Sequence, residues 1–110
     1  MVLTVFFCLS AVVVDGDTLR CANVADANGR VRLARIDAPE RGETGFAEAG
    51  DALAAMIAGR QVRCELVDAD PRINGFQERD RFGRPVARCA TDQGDLGERL
   101  LARGHARRWP

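Results

Sequence analysis

Asp37 and Glu40 close an alternating segment, Val31-Arg32-Leu33-Ala34-Arg35-Ile36-Asp37-Ala38-Pro39-Glu40. Its first half alternates apolar and charged residues, the pattern of a half-buried strand. Pro39 then stops the ladder because it has no N–H to donate. Acids and arginines packed this closely at a strand end are costly unless they pair with each other or hold something. A surface turn with an ion pair is the plain account of such a corner taken alone. Two more charged corners weigh against it, Asp15-Gly16-Asp17-Thr18 upstream and Asp80-Arg81-Phe82-Gly83-Arg84 downstream. Asp17 and Asp37 are hard oxygen donors at the ends of adjacent expected strands, a fit for Ca2+, which also accepts carbonyls and waters. The Ala38 carbonyl, freed from the ladder by Pro39, is a further donor. No His or Cys stands in these corners, so zinc is a poor fit. A cation beside arginine forks suits phosphodiester hydrolysis, since both oppose charge developing on phosphate oxygens. Glu40 is then placed to position or deprotonate the attacking water.

The elements that must bring these corners together can be read in order. Leu3 to Val14, rich in Val and Phe, is the first strand, and Gly16 is free to take positive φ at the corner that ends it. Leu19 to Val24 returns as the second strand. Asn28-Gly29 is a hairpin signal, and Val31 to Ile36 is the third strand. Between Phe46 and Ala58 the period changes: Phe46, Ala49, Leu53, Met56 and Ile57 share one helical face. Thr44 is the candidate N-cap and Gly59 the C′ glycine. Gln61 to Val67 and Pro85 to Ala90 are the fourth and fifth strands, separated by a polar loop over 68–84, of a length usually functional or mobile. Asp95-Leu96-Gly97-Glu98 is a capping box opening a short helix, Leu96 to Ala102. The order β-β-β-α-β-β-α predicts a mainly β (α+β) fold, a five-stranded OB-type Greek-key barrel with a helix between strands three and four and a short C-terminal helix.

Composition sets the bounds. The 110 residues make one domain, and 46% hydrophobic with 29% charged residues is ordinary for a globular protein. Net charge is zero, so no global basic field favours nucleic acid. The charge is uneven, however: residues 1–71 hold 7 Arg against 11 acids, net −4, and residues 72–110 hold 9 Arg against 5 acids, net +4. An acidic first part would gather a cation and a basic second part would face phosphate. Val2 to Val14 lacks the charged start and cleavage site of a leader, is too short to span a bilayer as a helix, and reads as a strand. Four cysteines allow three full pairings. The expected antiparallel neighbours favour Cys64 with Cys89, leaving Cys8 to Cys21; buried reduced thiols are the alternative. Two bridges would imply an oxidising, secreted or periplasmic setting.

Val14-Asp15-Gly16-Asp17-Thr18, Arg32 with Ile36-Asp37-Ala38-Pro39-Glu40, and Asp80-Arg81-Phe82-Gly83-Arg84 together resemble the thermonuclease (staphylococcal-nuclease-like) family. Each motif is weak alone; the three in register on this strand order cover nearly the whole chain. The resemblance implies a Ca2+-dependent nuclease acting on DNA and RNA with little sequence preference; a monomer without membrane association is expected. It assigns Asp17 and Asp37 as metal carboxylates and Ala38 as a backbone donor. It makes Glu40 the general base, and Arg32 and Arg84 the phosphate clamp. One assignment runs against the pattern. In a regular strand Arg35 shares a face with Asp37 and Arg32 points away, so choosing Arg32 requires a bulge or bend before Asp37.

The expected domain, 1–110, departs from the family in two ways. It lacks the usual final helix, ending Arg107-Arg108-Trp109-Pro110, and it has Phe82 where the family commonly has Tyr. Base stacking would fall to Trp109 or Phe76, for each of which core packing or a frayed end is the plainer role. Two other functions compete: a non-catalytic OB-fold module binding nucleic acid or protein, and a truncated fragment that folds poorly.

Overall fold

The apolar run near the start of the chain folds as two strands rather than one. The computed structural model describes residues 4–110, so Val2 and Leu3 of the expected first strand lie outside the described residues. Within them β1 (Val5–Phe7) and β2 (Val12–Asp15) are separated by a corner with Ser10 at φ 50°. The corner is fastened from several sides. Cys8 is bonded to Cys21, and the Asn23 side chain accepts from the Leu9 N–H and donates to the Phe7 carbonyl. Backbone groups that leave a ladder need such partners.

The other strands are β3 (Thr18–Arg20), β4 (Arg30–Leu33), β5 (Ile36–Asp37), β6 (Arg63–Leu66), β7 (Val86–Thr91), β8 (Gly94–Asp95) and β9 (Arg107–Arg108). Seven form one mixed sheet in the order β1-β6-β7-β4-β3-β2, with β8 paired to β7; β5 and β9 form a second, two-stranded sheet. Only the β4–β7 pair is parallel among the pairings of the larger sheet. The chain is therefore mainly β with two helices, as expected, but its larger sheet is a mixed one of seven strands that does not close, in place of the expected five-stranded OB-type barrel. The ladder ends at β1 and β2, and the expected third strand is also cut in two. Arg35, in the left-handed region at φ 65°, ends β4 and sends β5 to a different partner.

The helices α1 (Phe46–Ile57) and α2 (Leu96–Ala102) match their expected spans within a residue. α1 buries Ala49, Leu53, Met56 and Ile57. Phe46 is only half-buried, with the Arg41 guanidinium over its ring at 5.2 Å. Its N-cap is Gly45, at φ 90° and without a side-chain bond, rather than Thr44. α2 is capped as expected, Asp95 accepting from the Glu98 N–H at 2.8 Å. The Glu98 carboxylate does not complete the capping box; it pairs with Arg108 at 3.0 Å. Leu19, Leu53, Leu96 and Leu100 are fully buried in the core, each contributing about 1.5–3 kcal/mol relative to exposure. Cys64 and Cys89 are cross-strand partners on β6 and β7 and are disulfide-bonded. The two bridges are compatible with an oxidising compartment. Among the described residues no helix is long and apolar enough to cross a membrane.

Gly16 has a different use from the one its corner suggests. Its φ is not positive; instead a Cβ there would stand 2.7 Å from the Ala49 Cβ and 2.9 Å from the Ala38 Cβ. The missing side chain lets Ala49 of α1 and Ala38 of the second acidic corner both close on the first.

Candidate active site

Strand β4 is the reason the three corners meet. It lies between β3, where Thr18 opposes Arg32, and β7, where Arg32 opposes Val86. The ends of β3, β4 and β7 thus fall in one row, and each carries a charged corner. The first corner is an Asx turn in which the Asp15 carboxylate accepts the Asp17 N–H at 3.1 Å. This turns the Asp17 side chain inward, where the residue is 8% exposed. Its Oδ1 accepts from the Thr18 hydroxyl at 3.1 Å and its Oδ2 from the Ala38 N–H at 2.9 Å. Burial pushes the Asp17 carboxyl up to about 6, against the opposite pull of the Arg32 guanidinium.

Arg32 stands between the two acidic corners. One of its terminal nitrogens is 3.4 Å from Asp17 Oδ2 and the other 3.6 Å from Asp37 Oδ1. A bond of 2.9 Å to the Leu33 carbonyl steadies the fork. The bend at Arg35 accounts for this arrangement, turning Asp37 to the side that Arg32 faces. Arg35 itself is drawn away, donating to the Asp68 carbonyl at 3.0 Å. The remaining oxygen of Asp37 is taken by Arg107, across the β5–β9 pair, at 3.0 Å.

Arg84 is held as firmly. Its Nε donates to Asp80 Oδ2 at 2.8 Å, while Asp80 Oδ1 accepts the N–H groups of Phe82 and Arg84, both at 2.9 Å. The exposed Phe82 ring lies beneath the guanidinium groups of Arg81 and Arg84, at 4.8 and 5.2 Å. Arg84 Nη1 reaches the Thr18 hydroxyl at 3.4 Å. A continuous polar chain therefore runs Arg84, Thr18, Asp17, Arg32, Asp37. Arg84, Asp17, Arg32 and Asp37 face a cleft of about 700 Å3, which Ala38 and Glu40 also line, while Thr18 is buried behind them. Glu40 is exposed, and its carboxylate makes no hydrogen bond or ion pair among the described residues.

The model of the staphylococcal nuclease homologue family matches residues 30–109, more than half of the chain. The chain belongs to this family. The matched span holds Arg32, Asp37, Ala38, Glu40 and Arg84, while the first corner with Asp17 precedes it. Among curated proteins none matches the chain.

In this staphylococcal nuclease homologue, two residues that hold the cleft's side chains, Asp80 and Arg107, had no role assigned from the sequence. Asp80, four positions before Arg84, was legible as an acid in the third corner, but not as the group that orients Arg84. Arg107 carried no signal, because its contact with Asp37 depends on pairing between distant segments. Trp109 lines the cleft, with the Arg72 guanidinium 4.8 Å from its ring, instead of packing in the core. Phe76 is 58% exposed and packs in no core. Among the described residues no cluster of three or more His, Cys, Asp or Glu side chains forms a cation cage. The carboxylate-bearing residues that line the cleft are Asp15, Asp17, Asp37, Glu40, Asp70 and Asp80.

Proposed function

We propose that this domain is a calcium-dependent nuclease that hydrolyses phosphodiester bonds of DNA and RNA with little sequence preference. The observation that carries the reading is the chain from Arg84 through Thr18, Asp17 and Arg32 to Asp37, two guanidinium forks and two carboxylates facing one cleft. The donor set fits a hard divalent cation. Asp17 is a buried carboxylate whose charge the 3.4 Å contact with Arg32 only partly offsets. Ca2+ takes carboxylates, carbonyls and waters together, so two acids and the Ala38 carbonyl suffice as the protein's share. When bound, the cation supplies positive charge against that developing on the phosphate.

The chain's own side chains do the rest. Arg32 and Arg84 bind phosphate oxygens and hold the phosphorus in place for attack. Asp80 and Phe82 orient Arg84 in advance, so little reorganisation is needed during the reaction. Glu40, with a carboxylate free of partners, accepts the proton of the attacking water as its oxygen bonds to phosphorus and the opposite P–O bond breaks. The two disulfides support a secreted or periplasmic setting.

Release of acid-soluble nucleotides from DNA and RNA tests the reading. Activity with Ca2+ and none with a chelator is expected, and a folded sample inactive under both conditions overturns it. Glu40→Gln is expected to lower turnover by about 10²–10⁴-fold while binding of a nucleotide bisphosphate is retained. An equal loss of both would make Glu40 structural.

A further inference from the structure

Arg107 reaches Asp37 because of backbone pairing, not by chance on a crowded surface. β5 and β9 are antiparallel with Ile36 opposite Arg108 and Asp37 opposite Arg107. Directly opposed residues of an antiparallel pair project to the same face. The ladder therefore delivers the Arg107 guanidinium to the Asp37 carboxylate, with Nη2 at 3.0 Å and Nε at 3.3 Å from Oδ2. Arg108, next along the strand, turns to Glu98 instead. Asp37 Oδ1 faces Arg32 at 3.6 Å. Each oxygen of Asp37 thus faces a guanidinium, one closely and one loosely.

We propose that Arg107 is a tethered stand-in cation for Asp37, one that a divalent ion must displace, and that it thereby sets the cation affinity of the site. The proposal rests on the reading of Asp17 and Asp37 as calcium ligands. A calcium ion needs a carboxylate oxygen at bonding distance, and Arg107 occupies Oδ2 with two N–H groups. Guanidinium and calcium also repel each other when both approach one carboxylate. Displacement is feasible because the Arg107 side chain is 82% exposed and can leave for water while its backbone stays paired. Arg32 is less easily moved: its side chain is mostly buried and donates to the Leu33 carbonyl.

Calorimetric titration of the intact protein with Ca2+ alone, at low ionic strength, tests this. R107A and the near-isosteric R107Q are expected to bind Ca2+ about two- to fivefold more tightly than the wild type, the size of a partly exposed ion pair. The gain should shrink as salt is added. R108A removes an equal charge one residue away and should leave the affinity unchanged. Affinity unchanged or weaker in both Arg107 variants overturns the proposal. Equal tightening in R108A also overturns it, since net charge alone would then be responsible. Failure of every folded variant and of the wild type to bind Ca2+ would instead remove the calcium assignment of Asp17 and Asp37, and the proposal with it.

Discussion

The Oδ2 oxygen of Asp17 accepts the N–H of Ala38 at 2.9 Å, joining two corners 21 residues apart. The bond is made by the residue just past Asp37, so it sets the spacing of the two acidic corners directly. It also uses a carboxylate whose ionisation is pushed up by burial.

That shift gives a signed pH prediction. Asp17 is raised from 3.8 to about 6, so the folded state holds its proton more tightly than the unfolded chain. Its contribution to stability is fully present below pH 4 and is lost as pH rises through 6, on the order of 2–3 kcal/mol. Asp17→Asn should therefore melt higher than the wild type at pH 7 without metal and lose this pH dependence. Added Ca2+ should raise the wild-type melting temperature above pH 6, and this effect should fade as protons compete below it. Thermal melts from pH 4 to 8, with and without Ca2+, check both statements.

Arg32 and Arg35 are distinguished by the bend between them. Arg32→Ala should lower turnover by about 10²–10³-fold, as expected for losing one preorganised donor. Arg35→Ala should spare most of the rate and instead loosen the 68–84 loop, whose Asp68 carbonyl loses its donor. Steady-state kinetics paired with limited proteolysis separates the two, and a rate loss confined to Arg35→Ala reverses the assignment.

Asp80 acts through Arg84. Its carboxylate accepts one side-chain and two backbone N–H groups within the corner. Asp80→Ala should free the guanidinium and lower turnover by up to about 10²-fold. Asp80→Asn, which can still accept the backbone bonds, should fall between it and the wild type. Phosphate-analogue affinity measured alongside turnover should decline in the same order.

Gly16→Ala tests how closely α1 packs on the site. The added methyl would stand 2.7 Å from the Ala49 Cβ, an overpacking that costs about 1–3 kcal/mol. Adding Ala49→Gly should recover part of the loss. A single variant as stable as the wild type in thermal melts would show that the contact is not tight.

Local chemistry made much of the fold legible. The 3.6-residue period of 46–58, the Asp95 cap and the alternation of 31–36 each report a preference that neighbouring residues enforce together. The Cys64–Cys89 bridge followed from recognising two strands as antiparallel neighbours. What stayed hidden depended on distant partners. Nothing local marks Cys8 to Ala11 as a break, because the Asn23 side chain and the Cys21 thiol that fasten it arrive from β3's far end. Gly16 looked like a turn glycine, and only the approach of Ala49 gives its lack of a side chain a purpose.

The sequence by itself determined which charged groups are available, Asp17, Asp37, Glu40, Arg32 and Arg84, and that all but the mid-strand Arg32 sit where a strand starts or gives out. Tertiary structure alone decided that Arg32 rather than Arg35 faces Asp37, and that Arg107 rests on the same carboxylate. The reason is geometric. An arginine at positive φ is not forecast by its type, and a cross-strand neighbour exists only once two remote segments have paired.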